Sequence, residues 1–146
     1  MNILALDPAT KCGWAVSPLI SGVWDLSIRK DESAGMRLMR LKAKLTETHQ
    51  KHKLDIVAYE AARATRFKGA AVVQASIQAV LIMFCEENNI EYVGYSPSEI
   101  KKFATGKGNA SKEDMINAAI KFNEDIIDDN HADAIHILRM AKGLLD

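Results

Sequence analysis

The sequence predicts an α/β fold: a five-stranded mixed sheet, three strands antiparallel and then two parallel, flanked by helices. Three observations on the 146-residue chain lead there. Three short apolar segments follow one another before residue 29, spacing that calls for hairpins. Helical patterns separate the third, fourth and fifth apolar segments, and such crossovers leave the later strands parallel to the first. The remaining chain carries helix punctuation only.

Residues 2–7 are apolar apart from Asn2 and read as a fully buried strand. Residues 13–16 resume after a turn containing Pro8, and residues 23–28 alternate as a third strand. Met36, Leu38, Met39, Leu41 and Leu45 recur at helical spacing up to about His52. Residues 54–59 form a fourth strand, 70–85 a long apolar helix, and 92–95 a fifth strand. Pro97 suits the first turn of a helix reaching about Ala104. After a loop over 105–109, Ser111 caps the next helix with Asp114 three residues on, close to a capping box. The last helix spans about 129–144. With no repeat, linker or low-complexity tract, residues 1–146 read as one domain.

Composition is that of a globular protein, 48% hydrophobic and 26% charged. No apolar run approaches the ~20 residues of a membrane span, so no membrane partner is expected. Cys12 and Cys85 are isolated, which together with the missing signal pattern favours a reduced, cytoplasmic protein. Net charge is zero but unevenly laid out. Residues 61–69 hold Arg63, Arg66 and Lys68 and no acid. Residues 99–112 hold Lys101, Lys102, Lys107 and Lys112 against one glutamate, and residues 113–133 hold seven acids against one lysine. Such blocks suit a protein that grips phosphates with one surface and metal with another; solvated faces are the plain alternative.

Asp7 ends the first strand and Glu60 the fourth. If those strands are neighbours, ~4.8 Å apart, both carboxylates emerge at the edge where open α/β sheets bind ligands. Asp133 lies at the margin of an apolar helix face, Asp129 is one turn earlier on that face, and Asn130 is near it. An all-oxygen set of this kind suits Mg²⁺ or Mn²⁺, and two such ions ~4 Å apart can cut phosphodiester bonds. Each acid also has an ordinary use: an Asx turn for Asp7, helix capping for Asp128 and Asp129. His131 is expected to point away from Asp133 with its side chain exposed, and His136 to stand at most at the rim. Neither fits a zinc spacing, and no nucleophile elbow or glycine-rich nucleotide loop is present.

The helix over 70–85 is apolar nearly all round. Val73, Ile77, Val80 and Phe84 form one stripe, Val72, Ala75, Ala79 and Met83 another. Such a helix is either central in its own subunit or packed on a second copy.

Four segments, LALDPATKCGWAV, the strand ending at Tyr59-Glu60, YSPSEIKKFATGKGNASKEDM and DDNHADAIHIL, appear in an order and spacing that resembles the RuvC-type Holliday junction resolvases. These belong to the ribonuclease-H-like superfamily, and the chain is most similar to compact bacteriophage members. The resemblance implies a homodimeric, Mg²⁺-dependent endonuclease, with two ions per site, that nicks four-way DNA junctions symmetrically in the cytosol of bacteria or as a phage product. It further implies that Asp7, Glu60 and Asp133 are metal ligands and that Lys112, and with it Lys107, meets the phosphate. Two departures stand out. Asn130 occupies the place where the family usually carries a carboxylate, leaving Asp129 or Asn130 as fourth ligand. The aromatic that probes the junction has Phe67 as its nearest counterpart, among Arg63, Arg66 and Lys68. Two other functions remain open: a non-catalytic, structure-selective DNA-binding module, and a flap, fork or RNA nuclease of the same superfamily.

Overall fold

The computed structural model describes residues 1–63 and 68–145; the expectations for Arg66 and Phe67 lie outside the described residues. Strands β1 (Ile3–Asp7), β2 (Lys11–Ala15) and β3 (Ser21–Asp25) are followed by α1 (Gly35–His52), β4 (Ile56–Glu60), α2 (Ala70–Glu87) and β5 (Glu91–Tyr95). Helices α3 (Pro97–Thr105), α4 (Lys112–Ile120) and α5 (Asp129–Leu145) complete the chain. The sheet order is β3-β2-β1-β4-β5. The first three strands pair antiparallel, while β4 runs parallel to both β1 and β5. This is the predicted element order and mixed sheet.

The third strand begins and ends earlier than its apolar pattern indicates. A tight turn in which Ile20 N–H donates to Ser17 C=O sets Ser21 opposite Ala15, and the ladder runs to Asp25 opposite Lys11. Asp25 Oδ1 then accepts from Ser27 N–H at 3.0 Å, an Asx turn that bends the chain away. Backbone closure therefore outweighs side-chain alternation here.

Period-two alternation sorts the core into two layers. Ile3 and Ala5 of β1 and Ile56 and Ala58 of β4 pack under α3, α4 and α5. Leu4, Leu6, Val57 and Tyr59 face α1 and α2. By the same parity Asp7 and Glu60 fall on the α5 side, and the β1–β4 register, carried one residue past Leu6↔Tyr59, sets them opposite each other. Helix α2 is long and apolar enough to cross a membrane by length and composition, contrary to the sequence expectation. It buries one face, Ile77, Leu81, Phe84 and Cys85, in the second layer.

Local signals hold the helices that carry polar groups toward one edge. Ser96 caps α3, accepting from Glu99 N–H at 3.2 Å, with Pro97 in the first turn. Ser111 and Asp114 close a full capping box on α4, at 3.1 and 3.0 Å. Helix α5 lies over the sheet and approaches β2 so closely that a Cβ on Gly13 would stand 1.9 Å from the Asn130 carbonyl oxygen. Gly13 pairs with Asp7 across the β1–β2 ladder, so the bare glycine is what lets the first turn of α5 settle beside Asp7.

Replacing Gly13 with Ala is expected to cost about 1–3 kcal/mol, the range for overpacking. A thermal melt unchanged from that of the parent would show that α5 does not need this contact.

Candidate metal centre and nucleic-acid interface

At the carboxyl edge of β1 and β4 a cleft of about 780 Å³ is lined by Asp7, Glu60, Asp129, Asn130 and Asp133 together with Arg63, Lys101 and Lys112. Sheet parity delivers Asp7 and Glu60, and the first two turns of α5 deliver the other three. Asp7, Glu60 and Asp133 each offer an oxygen, and these atoms all lie within 4.8 Å of one another. Asp129 is half-buried at the margin, where Lys112 Nζ stands 3.8 Å from its Oδ2. Asn130 also lines the cleft, so the structure brings both candidates for a fourth ligand to the site.

Enclosing three carboxylates this tightly changes their protonation. Burial, then the charges of Glu60 and Asp133, raise the Asp7 carboxyl well above its ordinary range. Burial and then the Glu60 charge push Asp133 up to about 7. The closeness of the two carboxyls couples their protonation, so the pair is harder to ionise fully than either acid alone. Burial raises Glu60 as well, opposed by a hydrogen bond from Gln74 and by the charges of Lys101 and Arg63. Among the described residues, the buried Asp133 Oδ1 has no hydrogen-bond partner. An orphaned carboxylate oxygen among two other acids is a vacancy in bonding that a hard divalent cation satisfies, and the all-oxygen donor set fits Mg²⁺ or Mn²⁺.

The basic residues divide into two groups. Arg63, Lys101 and Lys112 line the cleft, and Lys101 is near enough to stabilise the charged forms of both Glu60 and Asp133. Lys68, Lys102 and Lys107 are exposed and away from the lining. The sequence gives no hint that Lys101 differs from Lys102; its half-buried place on α3 makes the difference. Gln74 was likewise missed. Its Nε2 donates to Glu60 Oε2 at 3.0 Å, and the available signal was a glutamine pair, Gln74 and Gln78, inside an apolar helix.

The histidine expectations need correction. His131 does turn away from the acids, but it is buried rather than exposed. Its Nδ1 accepts from Ile127 N–H at 3.0 Å, which leaves Nε2 to donate to Ser21 Oγ at 2.8 Å. It therefore ties α5 to the β2–β3 turn. His136 is fully buried under α4, with Nε2 2.9 Å from the Met115 carbonyl, and has no place at the rim. Both shift downward because burial opposes their charged forms.

Because burial and the Glu60 charge push the Asp133 carboxyl up to about 7, it contributes stability below about pH 4 that disappears as pH rises through 7. Metal-free protein should therefore melt at lower temperature at pH 8 than at pH 6, and Asp133→Asn should flatten that difference. Mg²⁺ should restore the midpoint at pH 8. Identical midpoints at both pH values in the unaltered, metal-free protein would contradict this electrostatic picture.

Comparison with known proteins supplies the family. The family model "Crossover junction endodeoxyribonuclease RuvC" matches residues 3–139. A crossover junction endodeoxyribonuclease RuvC from Brachyspira hyodysenteriae is 29% identical over 145 residues, covering 94% of this chain and 91% of that protein. Thermus thermophilus RuvC in complex with Holliday junction substrate superposes with a TM-score of 0.74 at 21% identity, over 94% of this chain and 90% of that one. The yeast mitochondrial Holliday junction resolvase Ydc2 gives 0.60 at 14% identity, over 94% and 77%. The shared architecture is the ribonuclease-H-like fold expected from the sequence. A sheet edge that gathers these acids, within a match running almost end to end, places the chain in the crossover junction endodeoxyribonuclease RuvC family.

Proposed function

We propose that this protein is a metal-dependent, structure-selective DNA endonuclease that resolves four-way junctions by paired symmetric nicks. The observation that carries this reading is the Asp7–Glu60–Asp133 cluster, three oxygens within 4.8 Å in a cleft rimmed by Arg63, Lys101 and Lys112. Mg²⁺, replaceable by Mn²⁺ and two per site, is the cofactor; when bound it supplies charge neutralisation at the phosphate and a more acidic water. Asp7, Glu60 and Asp133 hold it, with Asp129 or Asn130 as the further ligand.

The remaining side chains act on the substrate. Lys101, beside the acids, and Lys112, paired with Asp129, present cationic groups to the scissile phosphate and its neighbours. Arg63 continues that rim, and the exposed Lys68, Lys102 and Lys107 extend it as backbone contacts that position branched DNA without reading sequence. Neutral net charge is no obstacle, because cations and acids meet in one cleft, where Arg63, Lys101 and Lys112 stand beside the carboxylates.

The working unit is a homodimer. Val72 and Met83 of α2 are 44% and 63% exposed, so the second apolar stripe of that helix stays uncovered in the single chain. Two sites related by a two-fold axis match a two-fold symmetric junction. The protein would act on DNA in a bacterial or phage-infected cytosol. Asn130 is the feature that favours a second reading, a DNA-binding module without cleavage, although Asp129 lies beside it in the cleft.

Asp7→Asn should lower Mg²⁺-dependent nicking of a synthetic four-way junction by ~10³-fold or more while leaving junction binding intact. Wild-type cleavage by that variant would remove Asp7 from the site, and a parent that binds junctions but never nicks them would establish the non-catalytic reading. Met83→Glu should shift sedimentation from dimer to monomer. A monomeric parent, or a variant that stays dimeric, would place the subunit contact elsewhere.

A further inference from the structure

Between Ala70 and Cys85, α2 carries three polar side chains, Gln74, Ser76 and Gln78. Ser76 is spent on its own helix, donating to Val72 C=O at 2.8 Å. The two glutamines, one turn apart, both reach the end of β4. Gln74 Nε2 donates to Glu60 Oε2 at 3.0 Å, and Gln78 Oε1 accepts from Ala62 N–H at 2.7 Å. A carboxylate only accepts and a backbone N–H only donates, so each partner fixes which end of its amide is presented. Ala61 N–H, between them, donates to Tyr95 C=O at 2.8 Å. Three consecutive residues are thus pinned, two of them by α2.

We propose that Gln74 and Gln78 are a positioning clamp for Glu60, setting the affinity of the site for its divalent cation without touching the cation themselves. Glu60 has one more side-chain torsion than Asp7 or Asp133, so of the three acids it has the most freedom to lose. Gln74 occupies Oε2 and leaves Oε1 without a hydrogen bond among the described residues. Gln78 holds the backbone two residues beyond Glu60, at the Ala62 N–H. Hydrogen bonds of this outer kind orient metal ligands, and their loss typically weakens binding ~10–100-fold.

The clamp rests on the metal-site reading above, and the test separates the two. Mn²⁺ binding to the full chain, without DNA, is followed by electron paramagnetic resonance for the parent, Gln74→Met and Gln78→Met. Methionine keeps the length and volume while removing the hydrogen bond. Gln74→Met should bind Mn²⁺ about tenfold more weakly, with Gln78→Met weaker than the parent, and the Mg²⁺ concentration for half-maximal nicking should rise for both. Equal Mn²⁺ affinity in the parent and Gln74→Met would overturn the clamp alone. A parent that binds no Mn²⁺ would overturn the metal site and the clamp together. Should the variants fail to fold, the Gln74 side-chain amide of the unaltered protein should shift in ¹⁵N–¹H spectra on Mg²⁺ titration. An amide resonance that stays still through saturation would overturn the proposal.

Discussion

Mutual repulsion among carboxylates in a poorly solvated cleft is the constraint around which the rest of this protein is arranged. Asp7 is 4% exposed and shares its enclosure with Glu60 and Asp133, so all three cannot stay charged without a cation. The fold nevertheless spends considerable structure on bringing them together. Parallel pairing of β1 with β4 aligns two strand ends, strand parity turns both acids to the same side, and Gly13 clears the space for α5 to bring the third. A protein needing stability alone would place neutral side chains there. Holding the acids together against their repulsion prepares a site whose binding energy is released when a divalent ion enters.

Much of this was legible in the sequence because it depends on local rules. Strand ends at Asp7 and Glu60, the Ser111–Asp114 capping box and the Pro97 helix start are signals within a few residues of the groups they position. Crossover connections then fixed parallel pairing, and with it the meeting of the acids. The boundary of β3 was less legible, because the Ser17–Ile20 turn and the Asp25 Asx turn set it, and neither interrupts the apolar alternation.

Long-range polar partners were not legible. His131 reads as an exposed residue on the wrong helix face until the β2–β3 turn supplies Ser21, 110 residues away in sequence, as its partner. Gln74 and Glu60 meet only because α2 packs beside β4, and Lys101 differs from Lys102 only through the side of α3 that meets the cleft. Such pairings follow from packing between elements, which periodicity does not report. The family resemblance supplied the order of motifs but not these second-layer contacts.

The most direct test is anomalous diffraction from crystals of the unaltered protein soaked in Mn²⁺. Density at bonding distance from oxygens of Asp7, Glu60 and Asp133 is the predicted result. Ordered, mutually close carboxylates with no anomalous peak among them at saturating Mn²⁺ would contradict the account, because their shared burial would then serve no cation.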